Sequence, residues 1–285
     1  MELKGSAPEV FCTEKGTAYL KSPGVSLVGS PQSHLQEALA SYLPGFDKSL
    51  QFEDYMNDEP LESPGEAIAK FAGQVCYQSL GPQRTHNKYV GKYFDHIKES
   101  KHGSVTEHIN FTFLFWGISR SVSHEIVRHR TASYSQVSQR YVGEKTLRFV
   151  ERPEFQSDFT LHRFFEARID RASLEYETLS EMLLEKLEHS LAGMSKTEAR
   201  KAVRQTARSI LPNETETAMV MTANVRSWRH FLEMRCSRYA ETEIRRLAML
   251  VYGVLKEETP HLFNDYTPVS LPDGTFELET AYRKI

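Results

Sequence analysis

Cysteine is scarce: Cys12, Cys76 and Cys236 are the only three in 285 residues. An odd number set so far apart argues against a disulfide framework and against a zinc knuckle. No apolar run is long enough for a membrane-spanning helix. The opening stretch from Met1 to Val10 carries Glu2, Lys4 and Glu9 where a secretory leader would have an apolar core. A cytoplasmic location and no membrane partner are therefore expected. Charge of one sign is lacking too. Thirty-five Lys and Arg against 38 Asp and Glu leave a formal net charge of −3, which gives no global attraction for nucleic acid. There is no internal repeat, no low-complexity tract, no Walker phosphate loop and no Gly-x-Gly-x-x-Gly after a strand. Any phosphate-bearing ligand must be held by side chains. With 40% hydrophobic and 26% charged residues, the composition is that of a folded globular chain. Its length suits one domain with additions or two small domains.

Residues 1–24 show no clear period, and Val25 to Val28 form a short β-prone run ending at Gly29. The acidic, turn-rich stretch from Gln51 to Pro64 reads as a surface loop. Ser63, Pro64 and Glu66 then form a helix start with capping-box spacing, and Ile68, Phe71, Ala72 and Val75 form an apolar stripe. Phe111, Phe113 and Phe115 alternate, as in a half-buried strand. Ser119 caps a following helix with Val122, Ile126 and Val127. Residues 158–192 are helical. A second capping box, Ser195 with Glu198, opens a helix that Pro212 ends. Glu214 to Thr222 is β-prone, Asn224 or Ser227 caps a helix through Arg235, and Ala240 to Glu257 is helical. The segment after Pro260 reads as a peripheral tail. Strands and helices without βαβ regularity predict an α+β fold.

Two clusters carry chemistry. The run from Arg128 to Tyr141 holds Arg128, His129, Arg130 and Arg140 with Ser138, Gln136 and Gln139. Guanidinium forks grip phosphate or carboxylate at two points and stay charged at neutral pH. Hydroxyls and side-chain amides read ring nitrogens and carbonyls. A phosphorylated, ring-bearing ligand suits this set. The blander reading is a set of cations at a solvated helix end. The second cluster is Asn224, Arg226, His230 and Arg235, with Arg208 upstream of Pro212. Arg226 and His230 share a helix face, and an ordinary amphipathic surface helix would look the same. His124-Glu125 begins like a zinc-protease His-Glu-x-x-His, but position 128 is Arg and His129 falls one residue late. Metal is therefore not expected. A reading from another class is a nucleic-acid-binding module using the Arg- and Tyr-rich 128–141 segment for phosphate and stacking.

Arg128-His129-Arg130, seven residues, then Ser138 and Arg140 resembles the signature of flavin-dependent thymidylate synthases. His102-Gly103-Ser104-Val105-Thr106-Glu107-His108, Gly117-Ile118-Ser119-Arg120, Arg208 to Pro212, and Asn224-Val225-Arg226 with Arg235 resemble the stretches around it. The resemblance implies an N-terminal extension over 1–24, the synthase domain over 25–265 and a tail over 266–285. It implies a central, mostly antiparallel sheet with flanking long helices, assembled as a homotetramer whose sites gather residues from several subunits. It implies methylation of dUMP to dTMP with FAD, 5,10-methylenetetrahydrofolate as carbon donor and NADPH as reductant. By residue, it implies FAD at Ser104, Arg128, His129, Arg130, Gln136, Asn224, Arg226 and His230. It implies dUMP at Glu125, Arg128, Gln136, Ser138, Gln139, Arg140, Arg208 and Arg235. Arg235 is the expected catalytic residue, a cation by N3 or O4 of uracil that stabilises charge developing on the ring. Ser138 is expected to hydrogen-bond substrate, since no base stands near it in sequence to make it a nucleophile. Many family members have Asn-Glu where this chain has Ser135-Gln136, and Gln where it has Glu125.

Overall fold

A computed structural model describes residues 4–141, 143, 146–186 and 193–284. Its strands are β1 (Gly5–Ser6), β2 (Val10–Cys12), β3 (Ala18–Leu20), β4 (Gly24–Gly29), β5 (Asn110–Ser119), β6 (Ser133–Gln136), β7 (Phe149–Val150), β8 (Glu216–Asn224), β9 (Thr267–Ser270) and β10 (Phe276–Glu279). Its helices are α1 (Leu35–Tyr42), α2 (Pro64–Cys76), α3 (Val90–Glu99), α4 (Arg120–Ile126), α5 (Pro153–Gln156), α6 (Phe159–Lys186), α7 (Lys196–Ala207), α8 (Val225–Arg235), α9 (Thr242–Glu258) and α10 (Pro260–Phe263). Residues 187–192, the end of the expected 158–192 helix, lie outside the described residues.

The main sheet has the order β1-β4-β5-β8-β6, antiparallel throughout. This is the mixed α and β architecture, with a central antiparallel sheet and long helices, that the sequence predicted. β5 is its spine. Phe111, Phe113 and Phe115 point to one face and are buried there with Met219, Met221 and Ala223 of β8. Against that face lie Trp228, Phe231 and Leu232 of α8, and Ile244, Leu247, Val251 and Leu255 of α9. Phe113 and Phe115 meet the Trp228 ring edge-on at 5.1 and 6.4 Å. Fully burying each such side chain contributes about 1.5–3 kcal/mol. The opposite face, with Thr112, Leu114, Trp116, Val220 and Thr222, is only half-buried.

The corner from β5 into α4 fixes the direction in which α4 leaves the sheet. Gly117 takes φ +60 where the β5–β8 register shifts, and its N–H donates to Glu216 Oε1 at 2.8 Å. A side chain there would meet Ser22 O at 2.8 Å as well as an unfavourable backbone angle. Ser119 caps α4 by accepting from Val122 N at 3.2 Å. The buried Glu243 carboxylate receives both Ser119 N and Ser119 Oγ at 2.8 Å.

Five features differ from the sequence expectation. Ser63 does cap α2, accepting from Glu66 N at 3.3 Å, but Glu66 does not reach back. Its carboxylate takes His261 N and faces His261 Nδ1, both at 2.8 Å. The expected α2 stripe of Ile68, Phe71, Ala72 and Val75 is only half-buried, and Glu66, Ala69, Lys70, Gly73 and Gln74 form the buried face instead. Lys70 is tolerated there because Gln74 Oε1 and Asn87 Oδ1 accept from its ammonium at 3.0 and 2.9 Å, between the Tyr55 and Tyr93 rings. Burial pulls its pKa down to about 8. The stretch from Gln51 to Pro64 is more than surface loop, since Phe52 and Tyr55 are buried in a small second core with Leu39, Leu43 and Leu80. Residues 1–24 supply β1, β2 and β3. β2 and β3 form a hairpin, and β7 adds to β3 in parallel.

The segment after Pro260 is also part of the body. Leu262, Phe263, Tyr266 and Leu278 are buried in the main core. Arg229, itself fully buried, binds Asp265 through two bonds of 2.8 Å and donates to Tyr282 O at 3.0 Å. Among the described residues no helix is long and apolar enough to cross a membrane.

Candidate active site

Three of the expected site residues meet directly. Arg235, on the last turn of α8, donates from Nη1 to Glu125 Oε2 at 2.6 Å, from Nη2 to Glu125 O at 2.9 Å and from Nε to His129 Nε2 at 3.0 Å. Glu125 sits on α4, and His129 in the turn after it. A guanidinium held at three points has lost its rotational freedom but keeps an N–H on each terminal nitrogen for a ligand. The His129 ring lies 5.7 Å from the His230 ring and 5.1 Å from that of Phe231. Tyr134 fixes the turn by donating to His129 O at 2.6 Å and Ile126 O at 3.0 Å.

The electrostatics reflect this packing. Burial, reinforced by the charge of Arg235 and by His230, lowers the His129 pKa from 6.5 to about 4. The ring is therefore neutral at working pH, and Nε2 accepts from Arg235 while the proton sits on Nδ1. Burial pushes the Glu125 carboxyl above its ordinary range, against the pull of Arg235 and with help from Glu241. Since the folded chain holds neutral His129, the unfolded chain binds the extra proton first. Its contribution to stability is present above about pH 6.5 and is lost as pH falls toward 4. The His129 imidazole resonances should accordingly show no titration between about pH 5.5 and 8. A midpoint near 6.5 in an NMR titration would contradict this geometry.

The rest of the Arg128–Tyr141 run lies along β6 and the turn after it. β6 is an edge strand whose Tyr134 and Gln136 share the core-side face with Met221 and Met219 of β8. Gln136 donates to Ser123 Oγ at 2.9 Å and to Thr217 Oγ1 at 3.3 Å, so α4 holds Gln136 through Ser123 and Arg235 through Glu125. Ser138 Oγ accepts from Arg140 N at 3.4 Å, and no base reaches it among the described residues. Gln139 lines a cavity of about 230 Å³ together with Val137, Arg148 and Tyr176. Arg128 and Arg130 are exposed, while Arg140 and Arg208 are half-buried. Among the described residues none of these four guanidiniums donates to a carboxylate. Arg208 stands close enough to Arg120 to depress its pKa further, after burial. Guanidiniums without carboxylate partners keep their donors available for an anion.

Ser104, Asn224 and Arg226 gather at one end of the sheet. Asn224 ends β8 and caps α8, its Oδ1 accepting from Ser227 N at 2.9 Å. Arg226 Nη1 reaches Glu107 Oε1 at 2.6 Å, in the same short 3₁₀ turn (Gly103–His108) that exposes Ser104. His230 stands one turn after Arg226 on α8. Among the described residues no group of three or more His, Cys, Asp or Glu is placed to hold a metal ion.

Comparison with known proteins decides the family. Residues 61–261 match the model of the thymidylate synthase complementing protein family. The flavin-dependent thymidylate synthase of Mycobacterium sp. (strain JLS) is 43% identical over 226 residues, covering 76% of this chain and 87% of the relative. Those of Mycobacteroides abscessus and Mycobacterium tuberculosis (strain ATCC 25177 / H37Ra) are each 43% identical over 212 residues, covering 74% of this chain and 83% of each relative. The chain belongs to the thymidylate synthase complementing protein family.

The family match spans every expected site residue, from Ser104 to Arg235. The structure adds neighbours to which sequence reasoning gave no role. Arg120, at the start of α4, stands by Arg208. Lys201 lies 5.2 Å from the Tyr141 ring and lowers the pKa of its hydroxyl, while Arg204 donates to Tyr141 O at 2.8 Å. On α7 these cations look like any solvated helix face, and nothing in their spacing marks them. Glu241, which presses on Glu125, precedes α9 and could not be linked to α4 without coordinates.

Proposed function

We propose that this chain is a flavin-dependent thymidylate synthase. It methylates dUMP to dTMP, taking the carbon from 5,10-methylenetetrahydrofolate, with FAD reduced by NADPH. The observation that carries the reading is the set Arg128, Arg130, Arg140 and Arg208, without carboxylate partners among the described residues, together with Arg235 locked by Glu125 and His129.

The residues suit anionic nucleotides. Arg140 and Arg208 hold the phosphate of dUMP, with Ser138, Gln136 and Gln139 hydrogen-bonding its sugar and base. Arg128 lies between substrate and cofactor, with Glu125 at the rim. Arg128, His129, Arg130, Ser104 and Gln136 border the flavin, and Asn224, Arg226 and His230 take its nucleotide end. When bound, FAD supplies the redox chemistry of the reaction. The chain's own part is placement and field. Arg235 faces the uracil edge at N3 and O4, where negative charge develops as C5 becomes nucleophilic. Neutral His129 keeps Arg235 aimed without adding a second positive charge.

The active form is a homotetramer that builds each site from several subunits. Two features favour this. The α2 stripe of Ile68, Phe71, Ala72 and Val75 is left half-buried by the single chain, and so is the Leu114, Trp116 and Val220 face of the main sheet. Surfaces of this kind mark interfaces.

Purified protein should be yellow, and titrating dUMP into its oxidised form should perturb the flavin spectrum. A colourless protein that instead binds DNA with steep salt dependence would overturn the reading.

A further inference from the structure

Arg235 stands where a helix restrains a residue least. The last carbonyls of an α-helix have no partner within it, and the chain leaves α8 through Cys236, Ser237, Arg238, Tyr239 and Ala240 without a glycine cap. Both ends of this loop meet Glu125. Arg235 bonds it from the start, and Glu241 presses on the same carboxyl from the end while pairing with Arg152 at 3.3 Å. Glu125 and His129 fix the Arg235 guanidinium. The backbone beneath it is fixed from another side.

The β9–β10 hairpin supplies that restraint. Leu278 of β10 is buried in the main core, and its N–H donates to Cys236 O at 2.9 Å. Its neighbour Glu277 is only 7% exposed, so its carboxylate needs donors. It accepts from Arg238 N at 3.2 Å and from Arg238 Nε at 3.0 Å, and Arg238 Nη2 bonds it too. The Arg238 side chain is half-exposed, so the ion pair alone adds little. The bond to Arg238 N is the one that places the loop. Arg245 of α9, nearly fully buried, works beside it. Its Nη2 donates to Ala240 O at 2.7 Å and Arg238 O at 3.4 Å. Its Nη1 is held by the hairpin turn, at Asp273 Oδ2 (2.8 Å) and Thr275 Oγ1 (2.6 Å).

We propose that Glu277 is a positioning residue for Arg235: by holding Arg238 N it keeps the loop after α8, and with it the catalytic guanidinium, in place at Glu125. This rests on the role given to Arg235 under the proposed function. The carboxy-terminal hairpin is then a brace for the reacting end of the site, contributed by a part of the chain beyond the 61–261 family match.

Deleting the hairpin would strip Leu278 from the core, so the test uses point variants of the full-length holoenzyme. Turnover of dUMP is measured for the parent, Glu277→Ala, Glu277→Gln, Arg235→Ala and the double variant Glu277→Ala with Arg235→Ala, at a temperature where flavin content and circular dichroism show all five folded. Glu277→Ala should lower kcat about tenfold and change the KM for dUMP less than about twofold, the mark of an interaction lost in the transition state. Glu277→Gln, whose Oε1 can still accept from Arg238 N, should recover most of that loss. With Arg235 already removed, Glu277→Ala should change kcat less than about twofold, because a residue acting through another has nothing left to act on. An unchanged kcat in Glu277→Ala would overturn the inference, and so would a tenfold loss that persists in the double variant. A loss confined to KM would overturn it as well. Failure of the parent chain to make dTMP at all would refute the thymidylate synthase reading itself, and the inference with it, before any variant is compared.

Discussion

Replacing Arg235 by alanine should lower the turnover of dUMP to dTMP by about 10²–10³-fold, the usual cost of removing one donor aimed at developing charge. FAD should remain bound and the fold intact, because Arg235 stands on the last turn of α8, beyond the Trp228, Phe231 and Leu232 that anchor the helix in the core. Lysine should not rescue the loss. A single ammonium cannot reach Glu125 Oε2, Glu125 O and His129 Nε2 together, as the guanidinium does. Ser138→Ala, by contrast, should keep measurable turnover, since the only contact of that hydroxyl among the described residues is with Arg140 N. Steady-state kinetics with dUMP binding measured separately distinguishes these outcomes. Full activity in the Arg235 variant, or complete loss in the Ser138 variant with dUMP still bound, would reverse the two roles.

The largest stability effect should come from Arg229→Ala. Arg229 and Asp265 are both buried and doubly bonded at 2.8 Å. Removing one partner strands the other charge, at a cost of about 3–5 kcal/mol. Burial alone would raise the Asp265 carboxyl, but Arg229, Thr280 and Lys98 outweigh it and hold the pKa below its ordinary 3.8. With a depressed folded-state pKa, the contribution is complete above about pH 4 and fades as pH falls through the lower folded value. Urea unfolding at pH 7 and at acid pH should therefore show the gap between parent and variant closing as the solution is acidified. The double variant Arg229→Met with Asp265→Asn should be less damaged than Arg229→Ala, because no charge is left unpaired. A gap that stays constant with pH would show that the pair contributes packing rather than charge.

Local physics explains which elements could be read from the chain. Phe111, Phe113 and Phe115 announce a strand because a pleated ribbon alternates its faces. Ser119, Ser195 and Asn224 announce helix starts because each cap is satisfied within three residues. The misreadings all involve partners far along the chain. Glu66 answers His261 across 195 positions rather than its own helix start. Lys70 can lie inside only because Asn87, Tyr55 and Tyr93 surround it, so the helical period of α2 pointed to the wrong face. β1, β2 and β3 are too short to show a period. The crowding of arginines between residues 128 and 140 was plain in sequence, as was the rise of Arg226, His230 and Arg235 along one helix. The joining of Glu125 to Arg235 across 110 positions was not.

α8 has inner and outer faces with separate duties. Trp228, Phe231 and Leu232 fill the core and Arg235 prolongs their stripe to Glu125, while Arg226 and His230 face outward from the same eleven-residue rod. One amino acid inserted between Arg226 and Arg235 would swing every later side chain by about 100° around the axis. Aromatic rings would then point to water, and the guanidinium away from Glu125. Lineages descended from this protein can vary the exposed positions of α8 other than Arg226 and His230, but they can lengthen or shorten it only outside that span.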